Sequence, residues 1–211
     1  LKIEEIGTYF PVKLAWWDKR HKYTGAEIRH LYFVENVFGE KLFGNYTVMW
    51  RGPMEVKLEN LCDVTERIKF ADDKYKIKGP NLIHIVADFP QLGNSLREMY
   101  SFQNILADMI VIYLLRNCEK RVQGNESDIL IDGKKLNVAI CNSNVKACQM
   151  HFGVNLTLRG KPSPPMKATC LVDELKDKNE KKIIEDLKEI TRNWIMRLNQ
   201  IQKKVYKTVT H

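Results

Sequence analysis

Cysteine, glycine and proline are all scarce, at 5, 11 and 7 of 211 residues. Five is an odd number, and no two of these cysteines stand in C-x-x-C spacing, so a disulfide framework is not indicated and a reducing cytoplasm is the expected compartment. Collagen-like repetition and composition-driven disorder are excluded as well, because 44% of the residues are hydrophobic and can bury a core. Long apolar runs are missing. The most apolar stretch, Ile105 to Leu115, is short and broken by Asp108, and the opening LKIEEIG has no basic segment followed by an apolar one, so neither a membrane span nor secretion is expected. There is no internal repeat, and the one concentration of proline is GKPSPPM, Gly160 to Met166. No Cys/His cluster suggests a metal, and His30 and His84 have no partner of ligand type at useful spacing.

What is present reads as one folding unit, residues 1–175, followed by an appended helix, residues 176–211, packed on the same domain. Short β-type runs occur at Tyr46 to Trp50, Asn81 to Phe89, Asp128 to Ile131, Lys135 to Cys141 and Val145 to Leu158. Asp132 and Gly133 separate two of them, and Asp-Gly between apolar runs predicts a tight hairpin because both turn positions need positive φ. From Ser95 to Glu119 apolar residues recur at three and four with others on the remaining faces, which predicts a helix buried on most sides. From Glu180 to Lys207 the stripe Ile183, Leu187, Ile190, Trp194, Leu198, Ile201, Val205 predicts a helix with a single apolar seam. The expected fold is α+β, a mixed and largely antiparallel sheet backed by helices, with a long amphipathic C-terminal helix; monomer and homodimer both remain open.

The formal net charge of +8 is concentrated late: residues 159–211 hold 13 basic and 7 acidic side chains. In the last helix the acids precede most of the bases, the order the helix dipole favours, and no exposed aromatics interleave with the bases. Nucleic-acid binding is therefore not the preferred reading of this charge.

The most informative stretch is GNESDILIDGKKLNVAIC, Gly124 to Cys141. In a hairpin, Asp128 starts one strand and Lys134 and Lys135 start the next, with the two lysines on opposite faces, so one of them points inward. A lysine held over a concave sheet beside a carboxylate suits the carboxylate and phosphate oxygens of an activated acid. From spacing alone, a solvated Lys-Lys hairpin shoulder is the better reading.

The run D-I-L-I-D-G-K-K-L resembles the N-D-L-x-V-x-G-R-K-L-x-G signature of biotin and lipoate protein ligases, relatives of the class II aminoacyl-tRNA synthetases. HFGVNL, His151 to Leu156, is similar to the family's G-I-G-x-N-V strand, and PPMKATCLVDEL, Pro164 to Leu175, to its P-x-x-x-x-A-T-S-L-x-x-E segment. The stretch from Val48 to Leu61 takes the place of the lipoate ligases' Gly-rich loop. The resemblance implies a biotin/lipoate ligase-like fold of an archaeal branch, with ATP and Mg as cofactors. It also implies a small carboxylic acid or adenylate as ligand, and an acceptor protein as partner. It gives Lys135 the contact with the acyl carboxylate or adenylate, Asp128 the acidic position and Asn155 the later asparagine. Arg51 would assist from the opposite loop, with Gly52 and Lys134 nearby.

Three residues depart from the pattern. Ser127 replaces an Asn, Val138 stands where a Gly admits the acyl chain, and the Arg51-Gly52-Pro53 loop has one Gly where the ligases have several. A β-branched side chain at Val138 closes or shortens an acyl tunnel, so biotin and lipoate are not the expected acids. Loss of the Gly-rich loop counts against a phosphate cradle. His151 shares a strand face with Asn155 and joins the binding candidates; Glu59 is a weak metal or ribose candidate. Cys170 lies where the superfamily's octanoyl transferases place a nucleophile, although a buried, inert thiol is the better expectation. Three functions follow: an acyl-activating or acyl-transferring enzyme; a non-catalytic module binding a nucleotide, RNA or a partner; and a cysteine-dependent transferase.

Overall fold

The computed structural model describes residues 2–61, 68, 77–158 and 167–208. Its strands are, in chain order, β1 (Ile3–Ile6), β2 (Val12–Trp17), β3 (Asn45–Val56), β4 (Ile77–Phe89), β5 (Val122–Asn125), β6 (Asp128–Ile131), β7 (Lys134–Lys135), β8 (Asn137–Ser143) and β9 (Cys148–Asn155), and its helices are α1 (Leu96–Asn117), α2 (Leu171–Glu174) and α3 (Glu180–Lys207). Six strands form the large sheet in the order β1-β2-β3-β4-β9-β8, and β5-β6-β7 form a small second one. Every pairing in the large sheet is antiparallel except β2 with β3. The α+β class and the mostly antiparallel sheet are as the sequence implies.

Side-chain alternation along the central strands gives the sheet two apolar faces. Met49, Ile83, Ile85, Phe152 and Val154 face α1 and α3, where they meet Leu106, Ile110, Trp194 and Leu198. Trp50, Leu82 and Val86 point the other way, onto Tyr23, Phe33, Phe38 and Leu42 from the connection between β2 and β3. Each large side chain so buried contributes roughly 1.5–3 kcal/mol. Trp194 is fully buried because its indole N–H donates to the Phe102 carbonyl at 2.8 Å.

Helix α3 begins where its cap predicts: the Asn179 side chain accepts from the amides of Lys181 and Lys182. It packs in cis, with Ile183, Leu187, Trp194 and Leu198 buried, while Val205 at the end of the stripe is 61% exposed. Asn199, on the same helix, ties down the N-terminal chain. Its Oδ1 accepts from the amides of Tyr9 and Phe10 at 3.1 and 3.0 Å, and its Nδ2 donates to the carbonyls of Ile6 and Phe10. Gly7, with φ +94°, lies so close that an added Cβ would sit 1.7 Å from Asn199 Nδ2.

Expected boundaries are corrected at three strands: the run read from Lys135 to Cys141 is split between β7 in the small sheet and β8 in the large one, and the run read from Asn81 starts at Ile77. The strand read as ending at Trp50 continues through Arg51, Gly52 and Pro53 to Val56, with an irregular register between Gly52 and Met54. The Gly-Pro pair marks a bulge within a strand, a place where a proline's missing N–H is tolerated.

Candidate functional site

The predicted hairpin is present. Asp132 and Gly133 have φ of 48° and 73°, and Leu130 pairs with Lys135 and Ile131 with Lys134 across the turn. Alternation then separates the two lysines: Lys134 is exposed, whereas the Lys135 side chain is 19% exposed and its Nζ lies 2.8 Å from Asp128 Oδ2. Lys135 is fixed by its backbone as well. Its amide donates to the Lys167 carbonyl at 2.9 Å and its carbonyl accepts from Thr169 at 3.0 Å. The Asn155 amide donates to the Thr169 carbonyl at 3.0 Å, so this candidate secures the segment beside Lys135 and does not line the cleft beneath it.

That cleft encloses about 90 Å³ and is lined by Lys135 and His151, the apolar side chains of Met54, Val56, Val138 and Ile140, and Tyr23 and Asn60. Val138 belongs to a row across the sheet in which Trp50 pairs with His84, His84 with Gly153, and Gly153 with Val138. The centre of the row is tightly packed. A Cβ on Gly153 would lie 3.0 Å from the His151 ring and 3.1 Å from Val138 Cγ2, so the bare backbone makes room for both.

Two imidazoles meet here that the sequence left unpaired. His84 Nδ1 lies 3.0 Å from His151 Nε2, and His84 Nε2 lies 3.1 Å from the Gly52 carbonyl. A carbonyl only accepts, so His84 carries its proton on Nε2 and accepts at Nδ1 from the His151 Nε2–H. Burial, the larger cause, drives the His84 pKa down to about 3, and burial followed by repulsion from His84 holds that of His151 well below 6.5. Both rings are neutral at ordinary pH with their tautomers fixed. They are also clamped between aromatics: Trp50 stacks on His84 at 4.8 Å, and Tyr23 on His151 at 3.7 Å. Tyr23 is held by its amide, which donates to Pro53, and its carbonyl, which accepts from Glu55, both at 2.9 Å.

Other candidates lie elsewhere. Arg51 is a correction: it sits inside β3 rather than in a loop, on the face opposite Trp50, with Nε donating to Asn81 Oδ1 at 2.9 Å and an ion pair to Glu180 at 2.7 Å. It fastens the start of α3 to the sheet and does not line the cleft. Glu59 is exposed beside Lys57. Gly52 is needed because a Cβ there would be 1.8 Å from the His21 carbonyl oxygen, and its own carbonyl is the acceptor for His84. Cys170 is buried, and desolvation pushes its thiol up to about 11, the reverse of an activated nucleophile. His30, read as partnerless, bonds Asp88 at 2.9 Å, where Leu31 N and Gln149 also converge.

Among the described residues no group of three or more His, Cys, Asp or Glu could hold a metal, and no helix is long and apolar enough to cross a membrane. Lys135 is the one cation lining the cleft among the described residues, and the approach at Gly52, where a Gly-rich loop would cradle phosphates, is taken up by the His21 carbonyl.

This sheet, its covering helices and the lysine hairpin define a fold of the biotin protein ligase type: the Aquifex aeolicus biotin protein ligase in complex with biotin and ATP superposes with a TM-score of 0.51 at 12% identity, over 89% of this chain and 72% of that one. At that identity the likeness is one of fold. A protein of unknown function from Pyrococcus horikoshi is more similar, with a TM-score of 0.80 and 21% identity over 95% of this chain and 99% of that chain. The chain belongs to the family described as Domain of unknown function (DUF366), whose model matches residues 12–209. An uncharacterized protein, MJ0805, of Methanocaldococcus jannaschii is 25% identical over 190 residues, 90% of this chain and 81% of that protein.

Proposed function

We propose that this protein binds a small carboxylic acid, or its activated acyl derivative, with the acid end against Lys135. The observation that carries the reading is the position of Lys135: a side chain 19% exposed in the wall of a cleft, with one of the three ammonium protons committed to Asp128 at 2.8 Å. The other two suit carboxylate or phosphate oxygens, and in a low-dielectric wall such charge-assisted bonds are strong. In acyl activation or transfer the same ammonium stabilises the charge that develops on the acyl group.

The cleft volume of about 90 Å³ is room for about three waters at roughly 30 Å³ each. It fits a short acyl chain and would leave any nucleotide portion outside. The crowded approach at Gly52 favours one second reading, in which the ligase-type fold holds its ligand without ATP-dependent chemistry. The buried Cys170 thiol speaks against the cysteine-dependent transferase.

Titration calorimetry with a panel of three- to six-carbon carboxylic acids tests binding, and pyrophosphate exchange into ATP with the same acids separates the enzyme from the module. Lys135→Ala is expected to weaken binding at least about tenfold, as loss of a charge-assisted pair does. A panel without heat, or acids that bind Lys135→Ala as well as the wild type, refutes the proposal.

A further inference from the structure

The acid end accounts for one side chain of the cleft and leaves another unexplained. His151 is 2% exposed, lines the cleft, and has its Nε2–H committed to His84. Because the Gly52 carbonyl fixes the tautomer of His84, and His84 that of His151, Nδ1 of His151 is a bare lone pair with no partner among the described residues. Stacking on Tyr23 at 3.7 Å and contact over Gly153 hold the ring in place. An acceptor held fixed and neutral in the wall of a cleft costs free energy when an apolar group covers it, and that cost is avoided when a donor meets it.

We propose that His151 is a specificity residue for the ligand: it accepts a hydrogen bond through Nδ1 from an O–H or N–H group on the acyl portion, so the cleft selects short hydroxy or amide-bearing carboxylic acids over plain aliphatic ones. This rests on the reading of Lys135 as the anchor of the acid. The apolar side chains of Met54, Val56, Val138 and Ile140 surround the acyl portion, and Asn60 and Tyr23 are the other polar side chains of the lining. The role is one of recognition. An imidazole held this far below neutrality is a poor general base.

Calorimetry on matched pairs provides the test, beginning with 3-hydroxybutyrate against butyrate and extending to other three- to six-carbon hydroxy acids and acid amides, each against its deoxy or methyl counterpart. In the wild type at least one donor-bearing acid is expected to bind roughly tenfold more tightly than its counterpart. His151→Phe is expected to abolish that ratio, and Lys135→Ala to lower both affinities while preserving it. Acids that bind through Lys135 without discrimination, or with a ratio that survives in His151→Phe, overturn the inference and leave the Lys135 reading standing. Failure of every acid to bind overturns both. Because His151→Phe also removes the donor to His84, long-range proton–nitrogen NMR of the wild type supplies a second measurement. His151 Nδ1 is expected to be unprotonated in the free protein and to shift with 3-hydroxybutyrate but not with butyrate. A proton on Nδ1 in the free protein refutes the proposal.

Discussion

Lowering the pH is the most direct perturbation of the paired histidines, because the folded state holds both imidazoles neutral and the unfolded chain does not. With His84 depressed from 6.5 to about 3, the unfolded chain binds more protons at every pH between those two values. Stability is therefore fully present above about pH 7 and falls as pH drops below 6.5. At pH 5 the difference is about 1.5 pH units, or about 2 kcal/mol from His84 alone; His151 is shifted in the same direction and adds to it. Urea unfolding followed by tryptophan fluorescence at pH 7 and pH 5 reads the effect, since Trp50 stacks on His84. Carboxylates elsewhere also respond to acid, so the comparison is with the double variant His84→Phe/His151→Phe. Replacing both partners together avoids stranding one buried imidazole. Between pH 7 and pH 5 the wild type is expected to lose at least about 2 kcal/mol more than the variant. Parallel losses in the two proteins would show that the rings are not held neutral, and the tautomer chain that leaves Nδ1 of His151 bare would fail with them.

Gly52→Ala places a methyl 1.8 Å from the His21 carbonyl oxygen, backbone against side chain, and is expected to destabilise by about 3 kcal/mol or more in urea unfolding. Asn199→Ala strands the amides of Tyr9 and Phe10 and is expected to cost about 3 kcal/mol, with amide exchange accelerated first in residues 6–10. Cys170, with its thiol pushed up to about 11, is expected to resist iodoacetamide at pH 7.5 in the folded protein and to react once denatured; rapid native labelling would restore it as a nucleophile. Val138→Ala is expected to cost about 1 kcal/mol and to admit longer acids to the cleft, so unchanged chain-length selectivity in calorimetry would show that Val138 does not set its depth.

The features legible in the sequence were those encoded within a few residues of one another. The Asp132-Gly133 turn, the opposite facing of Lys134 and Lys135 and the run of α3 follow from local φ requirements, alternation and the apolar stripe, all visible in a short window, while the choice of Lys135 as the inward lysine came from the resemblance. Strand β2 was missed because Val12–Trp17 carries neither clean alternation nor turn signals at both ends, and its parallel pairing with β3 has no local signature. Arg51 was misplaced for a related reason. Gly-Pro reads as a turn, and only the partner strand reveals that the pair is a bulge in a continuing β3. The histidine pair lay beyond such reasoning altogether. His84 and His151 are 67 residues apart, on strands whose register sets His84 opposite Gly153, so their contact is diagonal and depends on a glycine whose purpose the sequence does not announce.

These two kinds of information bear on function differently. The hairpin lysine belongs to the part of the chain whose pattern resembles the ligases, and the backbone around it is built to hold it: Lys167, Thr169 and Asn155 all secure the segment from which it projects. Val138, Ile140 and His151 line the cleft from the same part of the chain, and the remaining lining comes from elsewhere: Tyr23 from the connection between β2 and β3, Met54 and Val56 from β3. The Gly52 carbonyl fixes the tautomer of His84, and His84 that of His151, so on the proposed reading a charged group at Lys135 and an uncharged donor at His151 is the pairing to test.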